Sequence, residues 1–304
     1  MRIFRSFEEA GNIRNPVVTT GSFDGVHIGH KTILSRLTML AEKYGGESVL
    51  LTFDPHPRKV LYPDTAGKNL KLINSQEEKL ELLEKAGLNN VIIIEFTKEF
   101  SKITSEQFVR DFLCGLLHAR IVVVGFNHHF GFNKEGDYKQ LWAWQKKYDF
   151  EAEEIPEQEV YHETVSSTKI RQAITEGYIQ RANAYLDHYY IIIGRLTVST
   201  IERSDFPVLF TITITEESKI LPSPGIYAVS AEYQGKNRKG MVIVNQTIAG
   251  NEVFIHVFDN PFLSADRKIS VMFHKKIHGA INLPDDSSSI KIIKAMQEIV
   301  ELIY

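Results

Sequence analysis

The chain has a single cysteine, Cys114, among 304 residues. One thiol excludes an internal disulfide and suits a reducing compartment. Its place in the apolar stretch FVRDFLCGLLHA reads as a buried core residue rather than a nucleophile. Charge of one sign is also scarce: 35 basic against 38 acidic residues leave a net charge of −3. That balance argues against a broad nucleic-acid surface, which needs a basic face, but leaves room for a local phosphate pocket. No run reaches the roughly 18 apolar residues of a membrane helix. The opening MRIFRSFEEAGN has no long apolar stretch of the signal-peptide kind. The expectation is a soluble cytoplasmic protein with no nucleic-acid and no membrane partner. There is no internal repeat and no low-complexity tract. Two familiar phosphate motifs are absent as well: the G-x-x-x-x-G-K-[ST] loop and the G-x-G-x-x-G fingerprint.

What is present divides the chain in two. A 43% hydrophobic composition supplies a sizeable core, and the length favours two domains. In the first half, PVVTTG (16–21), ESVLLTF (47–53), NVIIIEF (90–96) and RIVVVG (120–125) are short and apolar nearly throughout, as strands buried on both faces should be. Helical spacing lies between them. KTILSRLTMLAEKYGG places Ile33, Leu34, Leu37, Leu40 and Ala41 on one face. Ser75 with Glu78, and Thr104 with Gln107, form S/T-x-x-E/Q capping boxes. This alternation predicts a parallel α/β sheet. Two short helices, STKIRQAITEG and YIQRANAYL, lead out of it. After about residue 186 come six strand-like runs, YYIIIGRLTV, PVLFTITIT, GIYAVSAEY, GMVIVNQT, EVFIHVFD and KISVMFH. They predict a six-stranded antiparallel β-barrel. A terminal helix starts at about Ser287, with Ile290, Ile293, Met296 and Ile299 to Val300 on one side. The expected domains are 1–186 and 187–304.

The segment GSFDGVHIGH (21–30) follows the first of these strands and opens a helix. Glycines let a backbone approach a ligand closely, and a helix N-terminus offers free N–H groups and partial positive charge to a phosphate. His27 and His30, three apart, share a helical face and can both donate to one phosphate group. Metal ligation by the pair is weaker, because zinc helices favour an i,i+4 pair with a further ligand. By itself the segment also fits a turn with two surface histidines.

The string His27-Ile28-Gly29-His30 resembles the H-x-G-H signature of the nucleotidylyltransferase superfamily. With TFDPHP (52–57), GFNHHFGFNKEG (125–136) and VSSTKIR (165–171) in that order, the chain resembles the FAD synthetase module of the bacterial bifunctional riboflavin kinase/FAD synthetases. The resemblance implies a Rossmann-like first domain and transfer of AMP from ATP to FMN, giving FAD and pyrophosphate. FMN already presents an anionic phosphate, so the demand is alignment and charge stabilisation rather than a general base. His27, His30 and Arg171 would be catalytic. Gly21, Ser22, Phe23, Gly29, Ser166 and Thr168 would hold ATP. Phe53, Pro55, His56, Pro57 and Asn127 would hold FMN, the rigid prolines and the aromatic ring walling the flavin. Mg2+ would accompany ATP, with no protein metal site. Asp24 reads as a turn residue and the adjacent His128 and His129 as solvated. Lys134 stands where many members carry arginine, keeping the charge but not the fork. Ser167 or Thr168 can cap the helix after VSS. Lys169 and Arg171 do not share a face, which favours Arg171 alone.

The second half resembles the family's riboflavin kinase barrel in outline. PSPGIYAV (222–229) fits well. The family's G-F-P-T-A-N is DFPVLF (205–210) here, with Val208 and Phe210 in place of the Mg-ATP threonine and asparagine. Phe254 stands where the family's E-x-H-x-x-D has its catalytic glutamate, and Glu252 lies two residues further back. The barrel is therefore expected to be degenerate as a kinase. The alternatives are a full bifunctional enzyme acting also on riboflavin, a transferase for another phosphate substrate such as phosphopantetheine or nicotinamide mononucleotide, and a non-catalytic flavin sensor.

Overall fold

The computed structural model describes residues 1–126, 128–157, 159–160, 163–198, 207–247, 250–259, 264–281, 283 and 286–302. They pack as two compact units, one of residues 1–70 and 79–165, the other of residues 71–78 and 166–304.

The first unit is a six-stranded parallel sheet. Its elements run β1 (Arg2–Phe4), β2 (Pro16–Thr20), α1 (Ile28–Lys43), β3 (Glu47–Asp54), α2 (Pro57–Leu61), α3 (Gln76–Lys85), β4 (Asn90–Glu95), α4 (Ser105–Gln107), β5 (Ile121–Gly125), α5 (Tyr138–Tyr148) and β6 (Glu151–Ile155). A π-helix, Phe108–Leu116, continues α4. The strand order is β1-β4-β3-β2-β5-β6. Alternate residues of the central strands feed two separate cores. Val17, Leu50, Val91 and Val123 pack with Leu34 and Leu37 of α1. Val18, Leu51, Ile92 and Val124 pack with Phe108, Val109 and Leu113 of the π-helix and Leu141 of α5. Cys114 is half-buried against this second core, and burial pushes its thiol up to about 11. A short ribbon, β7 (Glu159–Val160) paired with β8 (Glu163–Thr164), follows. The outer strands β1 and β6 read RIF and EAEEI. Neither carries the apolar run that marked the four inner strands, so they were not among the expected ones.

The capping boxes form as expected. Thr104 and Gln107 bond reciprocally at the start of α4. Ser75 N donates to Glu78 Oε2 at 2.9 Å, and Glu78 N to Ser75 Oγ at 3.2 Å.

The second unit begins with α6 (Ser167–Glu176) and α7 (Ile179–Leu186). Six antiparallel strands then close a barrel: β9 (Tyr190–Val198), β10 (Phe210–Thr213), β11 (Gly225–Tyr233), β12 (Lys236–Thr247), β13 (Gly250–Val257) and β14 (Lys268–His278), in the order β10-β13-β12-β11-β14-β9. The predicted barrel is thus the observed one. The terminal helix α8 (Asp286–Glu301) is also present, but its inward face differs from expectation. Ile292, Ala295 and Ile299 are fully buried against Ile226, Ala228, Met241 and Ile243 of the barrel wall. Ile290, Ile293 and Val300 are exposed. With isoleucine at 290, 292 and 293, two helical faces are apolar, and packing rather than periodicity chooses between them.

Candidate active site

In the first unit, β2 lies between β3 and β5, and the chain's progress across the sheet reverses there. Ligands of open α/β sheets gather outside the carboxyl ends of strands at such a point. Here a cavity of about 770 Å³ opens, lined among others by Gly21, Ser22, Phe23, His27, Gly29 and His30. Gly21 has φ +156°, and a Cβ there would lie 3.1 Å from the Phe23 ring. Phe23 and Val26 also take positive φ, 48° and 41°, so the loop is tightly wound before α1. His27 is the N-cap of α1, without a side-chain capping bond, and no acidic residue occupies the first turn. The helix start is left open to an anion.

The two histidines meet as their spacing predicts. Their rings stack with centroids 3.7 Å apart at 18°, and Phe23 stacks on the other face of His30 at 4.4 Å. A Cβ on Gly29 would sit 3.3 Å from His27 Cε1, so the glycine makes room for the His27 ring. Burial, then the charges of His27 and Lys79, push His30 well below the usual imidazole range. Its buried Nδ1 has no protein partner among the described residues, an unmet donor or acceptor that a ligand could satisfy.

Another part of the lining is aromatic. Phe53 packs on Phe96 at 5.4 Å and on Phe100 at 5.8 Å; Phe100 reaches Phe108 at 6.3 Å, and Phe108 reaches Phe130 at 6.0 Å. His56 and Pro57 join this wall. The prolines do not make a purely non-helical turn: Pro57 opens α2, and His56 caps it, its Nδ1 accepting from Arg58 N at 3.1 Å. A proline at the first helical position loses no hydrogen bond. Pro55 is exposed and stands outside the lining. Lys134 lines the cavity. Asn127 lies outside the described residues.

Ser166, Thr168 and Arg171 belong to the second unit. The cap of α6 is Ser166, accepting from Lys169 N at 3.4 Å, not Ser167 or Thr168. It is the residue with extended backbone before the first helical turn, as an N-cap must be. Arg171 Nε donates to the Lys71 carbonyl at 2.8 Å.

Sequence reading missed two polar groups of the first unit. His128 is not a solvated loop residue: its Nε2 pairs with Thr20 Oγ1 at 3.1 Å, and it lines the cavity. Lys79, in a charged helical stretch, is 7% exposed. Asp24 occupies a turn but is buried, at 4%. The legible signal for Lys79 was its place four residues before the buried Leu83.

Residues 10–169 match the FAD synthetase family and residues 205–298 the riboflavin kinase family. A bifunctional riboflavin kinase/FMN adenylyltransferase of Listeria monocytogenes is 33% identical over 267 residues, 87% of this chain and 81% of the relative. The chain belongs to this bifunctional family. The Escherichia coli K12 relative of the same name is 29% identical over 86% of this chain and 84% of its own length. The Haemophilus influenzae relative is 27% identical over 98% and 97%. A solved structure titled a macrolide-efflux protein from Streptococcus pneumoniae covers 98% of this chain and 97% of its own, with TM-score 0.83 and 23% identity. It shares the fold.

Within the riboflavin kinase part, Asp205 and Phe206 lie outside the described residues. Val208 is exposed at 72%, and its carbonyl is 3.0 Å from His256 Nδ1. Phe210 pairs with Ile255 in the barrel ladder. Phe254 is buried with Leu209 and Ile243. Glu252 is exposed opposite Asn245.

Besides His30, one histidine in each unit makes stability pH-dependent. Burial, then the charge of His129, push His128 down to about 4, and burial does the same to His274. Unfolded, each binds its proton near 6.5. Between those values the unfolded chain holds more protons, so their contribution is complete above about pH 6.5 and is lost as pH falls toward 4. The midpoint of urea unfolding should drop across that window, and His128→Gln and His274→Gln should each flatten the slope. An unchanged slope in both variants would contradict the assignment.

Proposed function

We propose that the first unit's cavity is an FMN adenylyltransferase site, moving AMP from ATP to the phosphate of FMN with release of pyrophosphate. The observation that carries this reading is the stacked pair His27–His30 at a helix start without a side-chain cap, lining one cavity together with a cluster of phenylalanines. The imidazoles and the N–H groups of α1 suit the ATP phosphates, and the aromatic wall suits a flat isoalloxazine. The His30 imidazole, which burial keeps neutral, donates directionally to charge that builds on the α-phosphate, which is the assistance a phosphate nucleophile requires. Gly21, Ser22, Phe23 and Gly29 would approach ATP, with Phe53, His56, Pro57 and Asn127 on the FMN side. Pro55 would contribute through the stiffness of the turn. Ser166, Thr168 and Arg171 would bind ATP phosphates. The adenylyl-transfer domain in this reading is 1–186 and the kinase-like domain 187–304, although α6 and α7 pack with the barrel.

The described residues form no cluster of three or more carboxylate, histidine or cysteine ligands able to hold a metal ion. Mg2+ would come with the triphosphate, which can supply most of its ligands itself, and no step is routed through it. We further propose that the barrel has lost riboflavin phosphorylation. Val208, Phe210 and Phe254 offer no side-chain oxygen where the family uses Mg-ATP ligands and a base, and loss of a general base alone costs about 10²–10⁴-fold.

One assay separates these statements. The full chain with Mg-ATP should convert FMN to FAD and leave riboflavin unchanged, with flavins resolved by chromatography. FMN or FAD formed from riboflavin would make the protein fully bifunctional. FMN binding without pyrophosphate release would favour a sensor.

A further inference from the structure

The second unit has a cavity of its own, of about 680 Å³, lined among others by Glu176, Gly177, Tyr178, Arg181, Lys276 and His278. Gly177 ends α6, Arg181 lies in the first turn of α7, and Lys276 and His278 stand at the end of β14. Lys276 is half-buried, and its neighbours hold it in one place. Its Nζ donates to Ser223 Oγ at 2.6 Å and stands 5.6 Å over the Tyr227 ring. Ser223 is fixed in turn, because Tyr227 OH donates to its carbonyl at 2.5 Å. Two glycines leave room for the lysine chain. A Cβ on Gly225 would lie 2.7 Å from Lys276 Cε, and one on Gly177 would lie 2.9 Å from Nζ. This well-placed ammonium lacks a counter-charge. The adjacent Lys275 pairs with Glu298 at 3.7 Å. On Lys276, burial acts alone and lowers the pKa, with no carboxylate of the described residues opposing it. Glu176, the acidic residue of the lining, accepts from Gln172 Nε2 at 2.9 Å along its own helix. The first turn of α7 has no acidic residue. An ammonium has three N–H donors, and taking it partly out of water is costly until an anion offsets the loss.

We propose that the second unit's cavity binds a phosphate group, held by the Lys276 ammonium and the Arg181 guanidinium. Arg181 is itself anchored: its Nε donates to Tyr185 OH at 2.8 Å, and its guanidinium lies 5.6 Å over the Tyr185 ring. A phosphate brings enough acceptor oxygens to meet two cations at once, and both ammonium and guanidinium suit it. The site uses no residue of the cavity with His27 and His30, and it stands whether or not that cavity transfers AMP. Free phosphate and a mononucleotide share this chemistry. Tyr178, 58% exposed in the same lining, offers a ring on which a base could stack.

The test titrates the full chain, labelled with 15N, with inorganic phosphate at an ionic strength held constant with sodium chloride. The backbone amides of Ile179, Gln180, Arg181 and Lys276 should move together and saturate. In Lys276→Met the affinity should fall at least about 10-fold, the loss of one hydrogen bond to a charged group. Arg181→Gln should weaken binding in the same direction. Arg181 is exposed, so this variant keeps the fold and carries the test even if Lys276→Met does not fold. Adenosine monophosphate in place of the ion separates the two sources. Tighter binding than phosphate, with the gain lost in Tyr178→Ala, assigns a nucleotide; equal affinity assigns the free ion. Amides that do not saturate in the wild type, or a phosphate affinity unchanged in a folded Lys276→Met or in Arg181→Gln, would overturn the proposal.

Discussion

Replacing His30 by alanine should slow FAD formation from FMN and ATP by about 10²–10³-fold in kcat, the range seen when one preorganised donor to a developing oxyanion is removed. The size follows from the environment. His30 lies between Phe23 and His27, at 4.4 and 3.7 Å, and cannot swing away from where the phosphates would lie without breaking both stacks. Its donor is therefore aligned before the reaction begins, and water cannot stand in for it at the same angle. His30 is a partly exposed lining residue rather than a core one, so the thermal midpoint should stay near the wild-type value. The effect belongs in kcat, with KM for FMN nearly unchanged, because the aromatic wall that would hold the flavin is intact. His27→Ala should act in the same direction. Wild-type turnover in both variants would remove the histidine pair from the chemistry.

Much of this architecture was readable from residue order. The inner strands β2, β3, β4 and β5 are apolar nearly throughout because both their faces are covered, and such runs announce themselves. The outer strands β1 and β6 are half solvated, and their polar residues conceal them. The glycine loop was legible because its constraint is local: Gly21 and the two histidines act through positions three and nine residues apart, within one turn and one helix start. Lys79 and His128 were not, because their roles depend on partners far away in the chain. A lysine in QEEKLELLEK resembles any solvated helix face, and only the fold buries it and brings Thr52 Oγ1 within 3.4 Å of it. His128 likewise acquires its meaning from Thr20, 108 residues earlier. The misjudged face of α8 has the opposite origin. Local apolar spacing was present twice over, and barrel packing selected the face with Ile292, Ala295 and Ile299.

The same lesson governs Lys219, whose removal should be the most damaging single change to the second unit. Its side chain is 1% exposed, and that of Glu78 is fully buried. Lys219 Nζ donates to Glu78 Oε2 at 2.6 Å, to the Ile73 carbonyl at 2.5 Å and to the Ile191 carbonyl at 2.8 Å, and it stands 4.3 Å over the Tyr190 ring. The other Glu78 oxygen accepts from Ile193 N at 2.8 Å. One ion pair thus fastens residues 73–78 to strand β9. Lys219→Met fits the space but leaves a buried carboxylate without its cation and two carbonyls without their donor. Breaking such a pair from one side costs about 3–5 kcal/mol, a large part of the stability of an ordinary domain. Urea unfolding should show the loss as a lower midpoint. Glu78→Leu added to Lys219→Met should cost less than the sum of the two single changes, because no charge is then left unpaired. It should not return to wild type, since Ser75 N and Ile193 N lose their acceptor. A Lys219→Met variant within about 1 kcal/mol of wild type, the scale of an exposed pair, would mean that the pair carries no more weight than a surface contact.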